Sequence, residues 1–364
     1  MLRPRIKECY DVIPEAVDRY QIRSSEETTV MKGATVQQVF SHLLPLLDGR
    51  NTEDTITEKL ASVASAALVH AVIEKLRAAG VVEEAATDPA NGDSQGLSAE
   101  ELAAYRHQLV FLDLTLERGS AVQAQLLLKK ARLSIVGSGE LAAALAREAI
   151  RAGVGRILGA NLQPGNSISQ IGPLVSSLVS FEAIGVETGD QQDLENLLDA
   201  ESPTLLAIAI DRGEPVLLEA INKFSQSRNV ALLHCVANGT QAIVGPLVVP
   251  GQTACLTCYR LRVNSHVEFY EEQRAFEAWV KSNGHRRATP GTPPALANMA
   301  AAMAALEIIK HVTEVYEPEI YDRFISIDAL TLEVISHQLL KLPRCPDCGG
   351  GRSSIRYSSW QEPR

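Results

Sequence analysis

Between Arg156 and Arg212 the chain carries neither lysine nor arginine, although acidic residues run through the interval from Glu182 to Asp211. The 364 residues have a net charge of −10. That balance argues against broad nucleic-acid binding, which relies on basic surface to displace counterions. No apolar core follows Met1-Leu2-Arg3-Pro4-Arg5, so no export signal is expected. The longest apolar stretch, 295–309, contains Asn298 and Glu307 and is too short to cross a bilayer, so no membrane partner is expected. Cysteine is scarce, and only Cys9 and Cys235 lie outside two C-x-x-C pairs. Such usage fits a reducing cytoplasm. No repeat of fixed period is present.

Those two pairs are Cys255-Leu256-Thr257-Cys258 and Cys345-Pro346-Asp347-Cys348. Four thiolates grouped two and two match a tetrahedral structural zinc site. Gly349-Gly350-Gly351 follows the second pair and gives it a flexible turn. A redox C-x-x-C normally comes singly at a strand-to-helix turn, so zinc is the better reading.

Residues 85–99 are small, polar and turn-rich, the composition of a linker. They separate a unit of residues 1–84 from a larger unit of residues 100–364. In the first, Tyr20–Arg23 and Thr28–Met31 are expected strands around a charged turn. Apolar residues at helical spacing then run from Val36 to Leu47. Asn51 or Thr52 caps a second helix, and a third carries Leu68, Val72 and Leu76 and ends at Gly80. Three short strands and three helices predict a winged-helix arrangement.

In the larger unit, a helix is expected from the cap Ser98 to Leu114. Strands at Leu133–Val136, 156–158, Leu205–Ile210 and 230–236 alternate with helices. That alternation predicts a parallel sheet covered on both faces, an α/β fold. A hairpin follows Gly239, and Thr292 as cap with Pro293 opens an Ala-rich helix to Thr313.

Gly137-x-Gly139-x-x-Ala142, between strand and helix, has the form of a phosphate-cradling turn. A nicotinamide enzyme would close the next strand with an acid for the ribose, but that place holds Asn161. Asp211 is a candidate magnesium ligand. A triphosphate carries about four negative charges and is normally clamped by cations, and none lies in the stretch above. The glycine turn therefore reads as backbone geometry without a working ATP site.

These features together resemble the ThiF/MoeB (ubiquitin-activating-like) superfamily: the strand and glycine turn, Ala152-Gly153-Val154-Gly155-Arg156-Ile157, and the paired C-x-x-C motifs. In that family the cysteines hold a structural zinc and ATP adenylates a carboxylate. Asn161 stands where the family has Asp. The run Asn166-Ser167-Ile168-Ser169-Gln170 lacks the family's Arg, and no Lys occurs before Lys223 in this region. The departures fall on ATP-handling positions. They resemble the ThiF-like partners of YcaO cyclodehydratases, which act in making thiazole- and oxazole-modified microcins. The run 245–258 and Leu342-Pro343-Arg344-Cys345-Pro346-Asp347-Cys348-Gly349 are close to that pattern. The N-terminal unit is similar to a PqqD-like peptide-recognition domain, particularly in Leu46-Leu47-Asp48-Gly49-Arg50-Asn51-Thr52.

The resemblance implies that the first unit captures a precursor peptide's leader by strand addition. Thr28, Thr29, Val30 and Met31 would form the edge, and Leu68, Val72 and Leu76 the facing wall, although each apolar residue also suits an ordinary core. With 16 residues after Cys348, the YcaO enzyme is expected on a separate protein that supplies the ATP chemistry. Relatives of this type often pair as homodimers. The main alternative is an active ATP-dependent adenylating enzyme, using Asp211, Gly137, Gly139 and basic residues such as Arg260 or Arg262. A DNA-binding reading has only His70, Lys75 and Arg77 on its recognition helix, too sparse for phosphate and base contacts. Cys235 follows an apolar strand and reads as a buried structural thiol, with His234 on the opposite face.

Overall fold

The computed structural model describes residues 3–84, 96–116, 120–161, 178–185, 191–211, 215–283 and 291–349. The chain divides into two compact units, Met1–Leu126 and Leu127–Arg364. Most of the expected linker and the run 166–170 lie outside the described residues.

In the first unit, β1 (Pro4–Ile6) pairs antiparallel with β5 (Val82–Glu84). A separate sheet has the order β2–β3–β4, from Asp11–Ala16, Arg19–Arg23 and Thr28–Lys32. The charged turn predicted at Ser24 closes the second hairpin, where Ser24 N–H donates to Glu27 O at 2.9 Å. Thr52 caps helix Glu53–Lys59 by accepting from Thr55 N–H. Helix Ala66–Ala78 follows, and the positive φ of Gly80 (70°) turns the chain out of it. Phe40, Ile56, Ile73 and Leu76 are almost fully buried where these elements meet.

Ser98 does cap a helix, in a reciprocal capping box with Glu101. The single helix expected to Leu114 is two, Ala99–Ala104 and Arg106–Thr115, because the buried Tyr105 leaves helical geometry (φ −97°, ψ 9°). Both belong to the first compact unit. The second brings Asp113 into a buried position, where Lys7 Nζ donates to its carbonyl at 3.4 Å. Burial, then the Glu83 charge, push the Asp113 carboxyl up from 3.8 to about 6, against the pull of Lys7 and Arg5. A raised carboxyl favours the fold while protonated. Its contribution is full below about pH 3.8 and is lost as pH rises through about 6. The buried carboxylate then costs roughly 2–3 kcal/mol. Asp113→Asn is therefore expected to raise stability at about pH 8 and to match the parent near pH 4. Denaturant melts at the two pH values check this, and an equal effect at both would contradict it.

The second unit contains an eight-stranded sheet of order β13–β12–β11–β10–β9–β6–β7–β8. Its strands are β6 (Arg132–Gly137), β7 (Arg156–Asn161), β8 (Ser180–Gly185), β9 (Leu205–Ile210), β10 (Ala231–Asn238), β11 (Gln241–Val248), β12 (Arg323–Asp328) and β13 (Val334–Gln338). From β8 to β10 all pairs are parallel, and from β10 to β13 all are antiparallel. The parallel part runs third, second, first, fourth, fifth in chain order, so its switch point lies between β6 and β9. β9 is buried at every residue, as a central parallel strand covered on both faces requires.

Helix Pro294–Thr313 packs on helix Gly139–Arg151 and on β10 and β11. It is the one described helix long and apolar enough to cross a membrane, and its buried Ala300, Ala301 and Ala304 show it serving the core. Pro293, not Thr292, is its cap residue. The Thr292 hydroxyl instead accepts from Gly239 N–H and donates to Ala237 O, both at 3.1 Å. It ties the helix entry to the β10–β11 turn.

Candidate functional site

Three places could carry chemistry or binding. At the switch point, Gly137 is paired with Asn161 on one side and Ala209 on the other. Asp211 directly follows β9, so Gly137, Gly139, Asn161 and Asp211 come to one end of the parallel strands. A Cβ on Gly137 would lie 1.8 Å from Ala209 O, and one on Gly139 would lie 1.7 Å from Asp211 Oδ2. Gly139 also has φ +82°. Glycine is thus required at both positions by close backbone or carboxylate approach. Glu140 N–H donates to Asp211 Oδ2 at 3.3 Å. A carboxylate of this chain therefore sits at the helix N-terminus where a bound phosphate would be attracted.

The two arginines weighed for this site, Arg260 and Arg262, and Arg156 on β7 are engaged elsewhere. Arg156 opens β7, at the opposite end from Asn161, and binds Glu201 (2.7 and 2.8 Å) and Glu182 (2.9 Å). Arg260 pairs with Glu219 at 2.7 Å, and Arg262 donates to Leu340 O at 2.7 Å.

The second place is the cysteine cluster. Cys255 is the cap residue of helix Leu256–Asn264, which brings Cys258 back beneath it one turn later. The second C-x-x-C is a turn after β13, in which Gly349 N–H donates to Cys345 O at 2.9 Å. A side chain at Gly349 would meet Cys345 N and O at 2.5 Å. All four sulfurs lie within 4.8 Å of one another. Adjacent ones are separated by 3.9 Å (Cys255 to Cys258), 3.6 Å (Cys255 to Cys345) and 3.4 Å (Cys258 to Cys348). A tetrahedral zinc with bonds of about 2.3 Å spaces its sulfurs about 3.8 Å apart, so these residues can hold a metal ion. Burial pushes the Cys255 thiol up. Burial acts in the same direction on Cys345, but the Cys348 and Asp347 amides and the other thiols outweigh it and hold Cys345 below the usual range.

The third place is a groove of about 400 Å³ between β4 and helix Ala66–Ala78, lined by Val30, Met31, Lys32, Leu68, Val72 and Lys75 among others. β4 is the edge of its sheet. Ser24–Glu27 and Asp18–Gly33 are hydrogen-bonded across the β3–β4 hairpin. Alternation along the register makes Ile22–Thr29 and Tyr20–Met31 bonded pairs too. Thr28, Val30 and Lys32 consequently turn their backbone N–H and C=O groups to the open edge. Of the residues expected in this groove, Val30, Met31, Leu68 and Val72 line it, whereas Leu76 is only 1% exposed and belongs to the core. Lys32 and Lys75 were not anticipated. Arg77 is tied to Glu53, Glu74 and Glu84, and His70 to Glu53, which leaves that helix poorly equipped for DNA.

Cys235 is fully buried and its thiol is pushed up to about 12 by burial. His234 shares a hydrogen bond with Gly245 O (3.1 Å) and packs against the Tyr259 ring. Neither residue is placed for thiol chemistry.

No family model matches the sequence, and no curated protein matches it. Solved structures do. E. coli MccB, solved with ATP, is 16% identical with a TM-score of 0.64, over 95% of this chain and 99% of MccB. The heterocyclase TruD is 20% identical with a TM-score of 0.62, over 96% of this chain and 43% of TruD. A heterocyclase in complex with substrate and cofactor is 19% identical with a TM-score of 0.62, over 95% of this chain and 39% of that protein. The chain has the fold of these proteins. It spans less than half the length of the two heterocyclases.

Proposed function

We propose that this chain binds the leader of a ribosomally made precursor peptide and presents it to a separate YcaO-type cyclodehydratase, which closes Cys, Ser or Thr side chains into azoline rings. In this reading residues 1–84 form a PqqD-like winged-helix recognition domain, and 85–99 a linker. The larger remaining part, bounded in the sequence at 100–364 and built around the compact unit Leu127–Arg364, forms a ThiF-like domain stapled by zinc, in a cytoplasmic protein. The observation that carries the reading is the groove beside the open β4 edge. It has main-chain donors and acceptors on one side and an apolar helix wall on the other, the requirement for strand addition. The similarity to TruD supports the link to ring formation. An edge for a second protein is available at β13, where Val334 and Ile335, and Leu330 and Leu332 in the turn before it, are exposed. Reconstitution tests the reading: incubated with the cyclodehydratase and ATP, the precursor should lose the elements of one water per ring only when this chain is present. Equal ring formation without it would overturn the proposal.

A second reading, an active adenylating enzyme, draws on the full-length match to MccB solved with ATP. Against it stands the engagement of Arg156, Arg260 and Arg262 elsewhere; Asp211 at the glycine turn suits either reading, since a magnesium ion there would need such a carboxylate. Calorimetric titration of the full chain with ATP and magnesium separates the two. We expect no saturable binding below about millimolar ATP, equivalent to a binding free energy weaker than about 4 kcal/mol. Micromolar binding would favour the adenylating reading.

A further inference from the structure

Residues 255–258 and 345–348 are ninety positions apart, and a third element bonds to both. Asn222, on helix Pro215–Arg228, is 1% exposed. Its Oδ1 accepts from Leu256 N–H at 3.0 Å, inside the first C-x-x-C. Its Nδ2 donates to Asp347 Oδ2 at 2.8 Å, inside the second, and reaches Thr257 Oγ1 at 3.4 Å. The Thr257 hydroxyl donates to the same Asp347 oxygen, which closes the network. Both faces of one amide are thus used, one for each cysteine turn.

We propose that Asn222 is a positioning residue for the metal centre, clamping the two C-x-x-C turns together through Leu256 N–H and Asp347. The cysteines of each turn are placed by their own backbone, and within the turns themselves one side-chain bond, from the Thr257 hydroxyl to Asp347, relates the first to the second. A buried amide adds to that constraint, because leaving its donor or acceptor unmade costs far more than the bond itself contributes. The two pairs of sulfurs are thereby held facing one another. Outer partners that orient ligands in this way commonly govern affinity by about 10–100-fold. The inference depends on the four cysteines holding a metal, but not on the peptide reading.

The test uses the full-length protein, with zinc as probe in competition with a chromophoric chelator and cobalt(II) as a spectroscopic reporter. Asn222→Asp sets a second carboxylate against Asp347 and is expected to weaken zinc binding at least tenfold. Asp347→Asn should weaken it as well. The exchanged pair, Asn222→Asp with Asp347→Asn, restores an amide-to-carboxylate bond in the reverse sense while still accepting from Leu256 N–H. It should recover most of the lost affinity, a coupling that independent effects on folding would not produce. Cobalt spectra of the parent and the exchanged pair should coincide. Single variants that bind zinc as tightly as the parent, or an exchanged pair as weak as Asn222→Asp, would overturn the clamp. A parent that binds neither metal would instead overturn the metal reading itself.

Discussion

Cys258→Ser is expected to leave the protein without zinc and to lower its stability by about 4 kcal/mol or more. Cys258 is fully buried, lies 3.4 Å from the Cys348 sulfur and accepts a hydrogen bond from Leu342 N–H at 3.4 Å. It joins the end of the sheet to the helix after Cys255. Cys255, Cys258 and Cys345 lie in the same buried cluster as Phe224, Val248 and Leu339, so loss of the ion would loosen the packing around β10, β11 and the segment after β13. Binding of a structural zinc contributes about 10–16 kcal/mol in small domains, and a serine hydroxyl replaces thiolate poorly. A fall of several kcal/mol is therefore expected even if the variant retains weak residual binding. Metal analysis and a denaturant melt, each against Cys9→Ser as a control outside the cluster, decide the matter. One zinc per chain with unchanged stability in Cys258→Ser would refute the site. Chelator treatment should lower the parent's stability to about the level of the variant.

The features legible in the sequence are those whose physics is local. The parallel strands declare themselves as apolar runs, Ser98 and Thr52 as caps, and the paired cysteines through spacing alone. What was missed depends on meetings between distant segments. Nothing near Asn222 marks it as the residue that bonds both cysteine turns, because its two partners lie 34 and 125 positions away. The approach of Asp211 to Gly139 follows only from the pairing of β6 with β9. Thr292 looked like a cap because it precedes two prolines, yet the β10–β11 turn competes successfully for its hydroxyl. Leu76 has the same helical spacing as Leu68 and Val72, and only the placement of β4 shows which of the three face the groove.

Val30→Pro and Thr29→Pro, neighbours on β4, should behave oppositely. Val30 turns its N–H to the open edge, so proline there removes a donor for an incoming strand while leaving the β3–β4 ladder intact. Proline is tolerated on edges for that reason. Thr29 N–H faces Ile22 across the hairpin, so the same change at Thr29 should destabilise the first unit by about 3 kcal/mol. For leader binding, the lost main-chain bond and the bulk of the ring should weaken affinity about tenfold in Val30→Pro. Adding Leu68→Asp puts a charge where the groove expects an apolar side chain. At about 2 kcal/mol of further cost, the double variant should bind at least roughly 100-fold more weakly. Fluorescence anisotropy with a labelled leader peptide gives the affinities, and thermal melts separate binding from folding. If Val30→Pro folded normally and bound the leader as the parent does, strand addition at β4 would be excluded. If Thr29→Pro proved harmless while Val30→Pro unfolded the unit, the register assigned to the hairpin would be wrong by one residue. The open edge, and the recognition mode inferred from it, would then fall together.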